Sequence, residues 1–538
     1  MPLKPIYEIA KIAHIPEECV EPYGKYKAKI DYSLFDAVKD RPDGKLVLVT
    51  AITPTKAGEG KTTTSIALAE GMAKIGQEAL LCLREPSLGP VFGIKGGATG
   101  GGLASIAPSE DINLHFTGDM HALTSSINLI SAIIDNSIYQ GNPLRIDPER
   151  ILWKRAMDMN DRALRNVTVA QGDPKGAPRE DHFVITVASE MMAILCLAKS
   201  EEDFMERVNS ILVAYNLDGE PVYLRELRIS HAIMKLMREA LKPNLVQTLE
   251  NNPVLVHGGP FANIAHGCNS LFATRLALKL APIVITEAGF AADLGAEKFL
   301  DIKCREGGLH PDCAVLVATI RALKLHGGQA FEELENENPE ALRLGLDNLK
   351  AHYENLRLYG LPVVVAINHF ASDSEAEIKV LEDYCKENGY PVAFLDGFLK
   401  GGEGSIELAK LVVETLKNEE PHYAPIYDLN APIKEKIETI CRKIYHAGKI
   451  DFSARALEQI AEYERLGYGD AYVCIAKTPQ SLTDDPKVLG APSGFTITIR
   501  EVNLSAGARF VVPLTGAILT MPGLPKVPAA VKMEDMPL

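Results

Sequence analysis

The stretch Leu46–Glu70 reads LVLVTAITPTKAGEGKTTTSIALAE. Leu46–Ile52 is a short apolar run with β-branched residues, the composition of a buried strand. A Gly-rich turn follows and ends in Gly60-Lys61-Thr62, after which Ser65–Ala73 has a helical pattern. Strand, Gly-rich loop and helix in that order are the context a phosphate-binding P-loop requires. The nucleotide-binding set is then Thr55, Lys56, Ala57, Gly58, Glu59, Gly60, Lys61 and Thr62. Backbone N–H groups of the loop and of the first helical turn would face the phosphates, Lys61 would add a point charge, and the Thr62 hydroxyl would ligate Mg²⁺. Thr55 replaces the first Gly of the G-x-x-x-x-G-K-[ST] pattern, Pro54 restrains the start of the loop, and Gly58 gives it a flexible point. A nucleoside triphosphate is the first ligand implied.

The chain has 538 residues, 46% of them apolar, enough for several domains with large cores. Its net charge of −15 argues against nucleic acid or an anionic membrane as the main partner. Positive charge for an anionic nucleotide must therefore be concentrated locally. Nine Cys are scattered without a C-x-x-C pair and read as reduced, buried thiols of a cytoplasmic protein. No apolar run is long enough to span a bilayer, and the first residues lack a signal-peptide core.

Apolar runs recur at Ala79–Leu83, Val254–His257, Pro282–Glu287, Cys313–Thr319 and Pro362–Asn368, with helical segments such as Ser270–Lys279 and Glu375–Glu387 between them. Continuous rather than alternating runs suit a parallel sheet covered on both faces. The expected fold is α/β: a doubly wound, mostly parallel sheet carrying the P-loop, with ligands at the carboxyl ends of its strands. The rhythm breaks after about Thr124. Asp147–Arg165 reads as a charged helix and Asp181–Glu190 as a strand followed by a helix. Helices fill Ile433–Leu466, and strands Tyr472–Ala476, Phe495–Val502 and Phe510–Pro513 follow. The expected division is a discontinuous nucleotide-binding domain (1–124 and 241–419), an inserted domain (125–240) and a smaller C-terminal α+β domain (420–538).

Other motifs follow strands. Arg84 and Glu85 end the Ala79–Leu83 run, placed next to the P-loop strand in sheet order; a guanidinium there suits bidentate recognition of a phosphoryl group or small carboxylate. A structural Arg–Glu pair is the plain alternative. Phe92–Gly102, rich in Gly, reads as a loop that opens or lets backbone approach a ligand. Asp119, near Asp111 and Asn113, is a candidate oxygen ligand for a cation, with a capping role as its alternative. His257 and His266 lack zinc-site spacing and read as satisfied histidines. Glu287 and Asp293 follow a strand without an assignable role. Phe370 and Phe398 lie at strand ends, where aromatic rings can sandwich a flat heterocycle, although most Phe residues belong to cores.

In order along the chain occur TPTKAGEGKTT, LREPSLGPVFGIKGGATGGG, EDINLHFTGD, DNSIYQGN, GPFANIAHG, EKFLDIKCR, KGGEGSIELA and SAGARFVVPLTGAILTMPGLP. Together they resemble formate–tetrahydrofolate ligase of the monofunctional bacterial type, from about Pro5 to Pro528. The resemblance implies an enzyme of one-carbon metabolism. ATP with Mg²⁺ phosphorylates formate, and tetrahydrofolate then attacks formyl phosphate to give 10-formyltetrahydrofolate, ADP and phosphate. It implies catalytic roles for Lys61 and Arg84 and folate-binding roles for Glu85, Phe370 and Phe398. It also implies a monovalent cation (K⁺ or NH₄⁺), for which Asp119 is the candidate, and a homotetramer. Two positions depart from the family pattern: Phe398 stands where Trp is common, and Ala291 replaces a common Gly. A switch-type ATPase and a carboxylate kinase that releases its acyl phosphate remain alternatives; neither needs the paired aromatics.

Overall fold

The computed structural model describes residues 2–172, 174–516 and 518–535. A twelve-stranded sheet forms its centre. Its strands are β1 (Val20–Pro22), β2 (Ala28–Ile30), β3 (Lys45–Ala51), β4 (Ala79–Leu83), β5 (Gly100–Gly101), β6 (Ala104–Ala107), β7 (Asn244–Thr248), β8 (Pro253–Val256), β9 (Ile283–Glu287), β10 (Cys313–Ala318), β11 (Val363–Asn368) and β12 (Val392–Leu395). The order is β1-β2-β7-β8-β4-β9-β3-β10-β11-β12, with β6 paired to β7 and β5 to β6. From β8 to β12 every neighbour is parallel. The β1, β2 and β7 side is antiparallel.

The parallel strands bury nearly every residue because helices cover both faces. On one side Leu46, Leu48, Leu80 and Val284 join a core with Leu276 of α2 (Leu271–Leu280) and Leu323 of α3 (Ile320–His326). On the other, Val47, Val49 and Ile285 pack with Ile66 and Leu68 of α1 (Lys61–Lys74). The apolar runs thus become the strands expected from them, shifted by a residue or two at their ends.

The expected neighbourhood of β3 and β4 is corrected: β9 lies between them, pairing Ile283 with Lys45 on one edge and with Ala79 on the other. Strand order is set by pairing between segments some two hundred residues apart, which local composition does not encode. The antiparallel side also contains strands that no apolar run announced. In β7 the polar Asn244 and Gln247 are buried, satisfied by Asp119 and by the Lys4 backbone.

Asp147–Arg165 is not a helix. It holds strands Ile146–Ile151 and Arg155–Ala156 and a 3₁₀ turn, Arg162–Arg165. Pro148 removes a backbone donor, and pairing with Leu212–Asn216 buries Ile146 and Ile151, with Ala214 opposite Ile151. Asp181–Glu190 is likewise shorter-grained than expected, with a two-residue strand Phe183–Val184 and a 3₁₀ turn before helix Glu190–Leu197. In the C-terminal part the strand Lys449–Phe452 separates helices Ile433–Lys443 and Ala454–Arg465. The expected strand Phe495–Val502 is two strands in different sheets: Thr496–Ile499 pairs Lys449–Phe452, and Glu501–Ser505 pairs Phe510–Leu514. Tyr472, Cys474 and Phe510 share one core with Leu123, Ile194 and Val213.

Candidate active site

The β3–α1 turn is shaped by two left-handed glycines, Gly58 (φ 81°) and Gly60 (φ 73°). A Cβ on Gly60 would lie 2.4 Å from Asn368 Nδ2, and that amide donates to Glu59 O at 3.0 Å. The position therefore demands glycine on two counts, backbone angle and space. The buried Glu59 carboxylate holds the turn from inside: it accepts from Thr55 N–H at 2.6 Å and from the Thr319 hydroxyl. Gly60, as the N-cap of α1, brings no capping side chain. The first-turn N–H groups are thus left for another acceptor, the local dipole favouring an anion.

Lys61 opens α1. Desolvation lowers its ammonium to about 8; Glu287 opposes that shift, while Arg84 and Lys95 reinforce it. Glu287, at the end of β9, accepts from the Thr62 hydroxyl at 2.9 Å and faces Arg84 Nη2 at 3.8 Å. Arg84, just past β4, donates to Pro260 O at 3.3 Å, while its buried Nε has no partner. Gly289 makes room for it, since a Cβ there would lie 2.8 Å from Arg84 Nη1. Lys95 belongs to the same electrostatic group: desolvation, then the Arg84 charge, lowers its ammonium. Arg84 thus faces the Glu287 carboxylate, and Lys61 and Lys95 lie within electrostatic reach of both, a setting for an anionic ligand of several charges.

The two aromatics follow neighbouring parallel strands, β11 and β12, in register with Asn368 opposite Leu395. Phe370 is half-buried, and the Arg321 guanidinium lies 3.8 Å from its ring centroid. Phe398 is 52% exposed, which makes it available to a ligand. It sits on a short helix, Gly397–Lys400, rather than on the strand itself. The glycine run has a structural cause here. Leu103 N–H donates to Phe398 O at 2.9 Å, and a Cβ on Gly101 would lie 3.0 Å from Phe398 Cε2. The close approach is of this backbone to Phe398.

The profile of the family described as formate–tetrahydrofolate ligase matches residues 1–536. The chain belongs to that family. It is therefore an enzyme, a ligase joining formate to tetrahydrofolate. Among the described residues no helix of this ligase is long and apolar enough to cross a membrane.

Not every expected residue of the ligase joins the cluster at Lys61. Glu85 and Asp119 form a separate buried group. Asp119 pairs with the Lys29 ammonium at 2.5 Å and accepts from Asn244 Nδ2 at 2.9 Å. Burial, then the Asp119 charge, raises the Glu85 carboxyl well above the usual range, and Glu85 Oε2 has no partner. His257 is satisfied as expected, by Ser270 Oγ at 2.7 Å and Ala240 O at 2.8 Å. His266 departs from that expectation, since neither of its buried ring nitrogens has a partner. Burial lowers it to about 3, so it stays neutral. Sequence reasoning gave no role to Glu287, Lys95, Asn368 or Arg321. Positions after strands or inside the glycine run marked the first three, and nothing marked Arg321.

Proposed function

We propose that the ligase works through ATP and formyl phosphate. The observation that carries this reading is the meeting of Lys61, Thr62, Arg84 and Glu287 at the uncapped start of α1. A formate oxygen attacks the γ-phosphorus and ADP leaves; tetrahydrofolate N10 then attacks the formyl carbon, the C–O bond to phosphate breaks, and N10 loses its proton. Direct attack on formate would have to expel oxide, so phosphorylation supplies the leaving group. The protein's work is positioning and charge stabilisation.

In this reading residues Thr55–Thr62 take the triphosphate. Lys61 meets the γ-phosphoryl group, and the unpartnered Arg84 Nε with its fork takes formate and then formyl phosphate. The Thr62 hydroxyl, already beside Glu287, fits Mg²⁺, which would neutralise phosphate charge. Phe370 and Phe398 take the two faces of the pterin, with Glu85 on the folate side. The monovalent cation, K⁺ or NH₄⁺, falls to Asp119, whose carboxylate also holds the Lys29 ammonium. A homotetramer in the cytoplasm, with the three-part division given above, completes the reading.

The test follows product absorbance with formate, ATP, Mg²⁺ and tetrahydrofolate, omitting each in turn. Product should require all four. ATP turnover without formate would point to a switch, and acyl phosphate release without folate to a kinase.

A further inference from the structure

Arg321 stands in the first turn of α3, directly after the carboxyl end of β10. The helix starts there because the Thr319 hydroxyl caps it, accepting from Ala322 N–H at 3.2 Å while donating to Glu59. That cap fixes Arg321 between two parts of the site, which the Asn368 amide also links through Glu59 O at 3.0 Å. On one side its Nη2 donates to the carbonyl of Gly58 in the β3–α1 turn, and its Nε lies 3.7 Å from Glu59 Oε2. On the other its guanidinium lies 3.8 Å from the centroid of Phe370. The Phe370 backbone is itself held, its N–H donating to Asp373 Oδ2 at 2.8 Å.

We propose that Arg321 is a positioning residue that couples the nucleotide turn to the folate platform. The proposal deepens the reading above and rests on it: triphosphate on Thr55–Thr62, pterin on Phe370. One planar cation orders two elements at once. Gly58 sits at φ 81°, its N–H donating to Thr55 O at 3.2 Å and its carbonyl accepting from Arg321. Phe370 gains a fixed ring plane, because the guanidinium covers one face and leaves the pterin the other. A ligand that orders either element lowers the ordering cost that the second ligand meets, so the two affinities rise together. Arg321 itself transfers no proton and no phosphoryl group.

The experiment is titration calorimetry of tetrahydrofolate into the full chain, with and without a non-hydrolysable ATP analogue and Mg²⁺. In the wild type the analogue should tighten tetrahydrofolate by about fivefold or more, and tetrahydrofolate should tighten the analogue by the same factor. In Arg321→Met that factor should fall below about twofold. Arg321→Lys keeps a charge on a flexible stem without the planar fork, and should recover only part of it. A merely structural role would weaken each ligand alone and leave the ratio unchanged. The proposal is overturned if the wild type shows no coupling, or if both variants keep the wild-type factor. Failure of the underlying reading looks different: Phe370→Ala would bind tetrahydrofolate normally, or Lys61→Ala would bind the analogue normally, each titrated without the second ligand.

Discussion

The Thr62 hydroxyl, in the first turn of α1, donates to Glu287 Oε2 at the end of β9 across 2.9 Å. This bond joins the β3–α1 turn to the strand that separates β3 from β4, and Glu287 continues the link to Arg84 at 3.8 Å. The carboxylate therefore faces a guanidinium while orienting a hydroxyl suited to Mg²⁺. Thr62→Val, which keeps the shape and removes the hydroxyl, should lower turnover by about 10²-fold, the scale for losing a preorganised polar group. Thr62→Ser should retain most activity. Turnover measured across Mg²⁺ concentrations checks this, and equal losses in both variants would show that the hydroxyl is not what counts.

Lys61 should leave a mark on the pH profile. Its ammonium titrates at about 8 in the unliganded protein, so it is charged below that pH and neutral above it. If the charge serves catalysis, kcat/KM for ATP should fall as pH rises through about 8, since this parameter reports the free enzyme. Glu287 holds the ammonium up, so Glu287→Gln should move the descending limb to lower pH. Lys61→Ala should remove the limb and lower turnover by about 10²-fold or more. A limb that persists in a folded Lys61→Ala protein belongs to another group.

Arg84 is expected to act through its fork. Arg84→Lys should not rescue formate-dependent phosphoryl transfer, because a point charge cannot reproduce bidentate recognition. Gly289→Ala offers a second probe that leaves the arginine in place. The added Cβ would lie 2.8 Å from Arg84 Nη1 and 2.7 Å from Ala262 Cβ, so the guanidinium must shift. KM for formate should rise more than KM for ATP. Unchanged formate kinetics in both variants would make Arg84 a structural residue.

The parts of this site that were legible in the sequence are the local ones. The turn from Thr55 to Thr62 declares itself because strand, glycines, lysine and hydroxyl are contiguous. The parallel strands declare themselves because burial on both faces leaves unbroken apolar runs. Glu287 was visible only as a carboxylate after a strand; its role depends on β9 lying between β3 and β4, a matter of long-range pairing. Arg321 was invisible for the same reason. Asp147–Arg165 misled because its charges suggest a solvated helix, while the burial of Ile146 and Ile151 by a partner strand decides the outcome. Asp119 looked free for a cation; its lysine partner lies ninety residues away in sequence.

That partner gives a stability prediction. Lys29 and Asp119 are both buried, and Lys29 also donates to Lys242 O at 2.9 Å. Lys29→Met leaves the Asp119 carboxylate and its neighbour Glu85 without their buried cation. Breaking one side of such a pair costs about 3–5 kcal/mol. Chemical denaturation should show that loss, and adding Asp119→Asn to Lys29→Met should restore part of it. Equal stability of wild type and Lys29→Met would mean the pair contributes nothing.

Phe398 is one of the two positions where the family resemblance leads one to expect another residue, here Trp. Its ring is more than half exposed, and its backbone is fixed by the Leu103 N–H, so substitution there should alter binding rather than folding. Phe398→Trp enlarges the stacking face and should tighten tetrahydrofolate modestly. A ring stack contributes about 0.5–1.5 kcal/mol beyond buried area, and Phe398→Ala should weaken folate binding on that scale. Neither change should move KM for ATP or the formation of formyl phosphate, because Lys61, Thr62, Arg84 and Glu287 are placed by α1, β4 and β9 instead. Direct binding of tetrahydrofolate to the three proteins, beside formate-dependent ADP release, separates the two steps. If Phe398→Ala lowers both equally, the ring supports the glycine run beneath it, and the pterin must find its second face elsewhere.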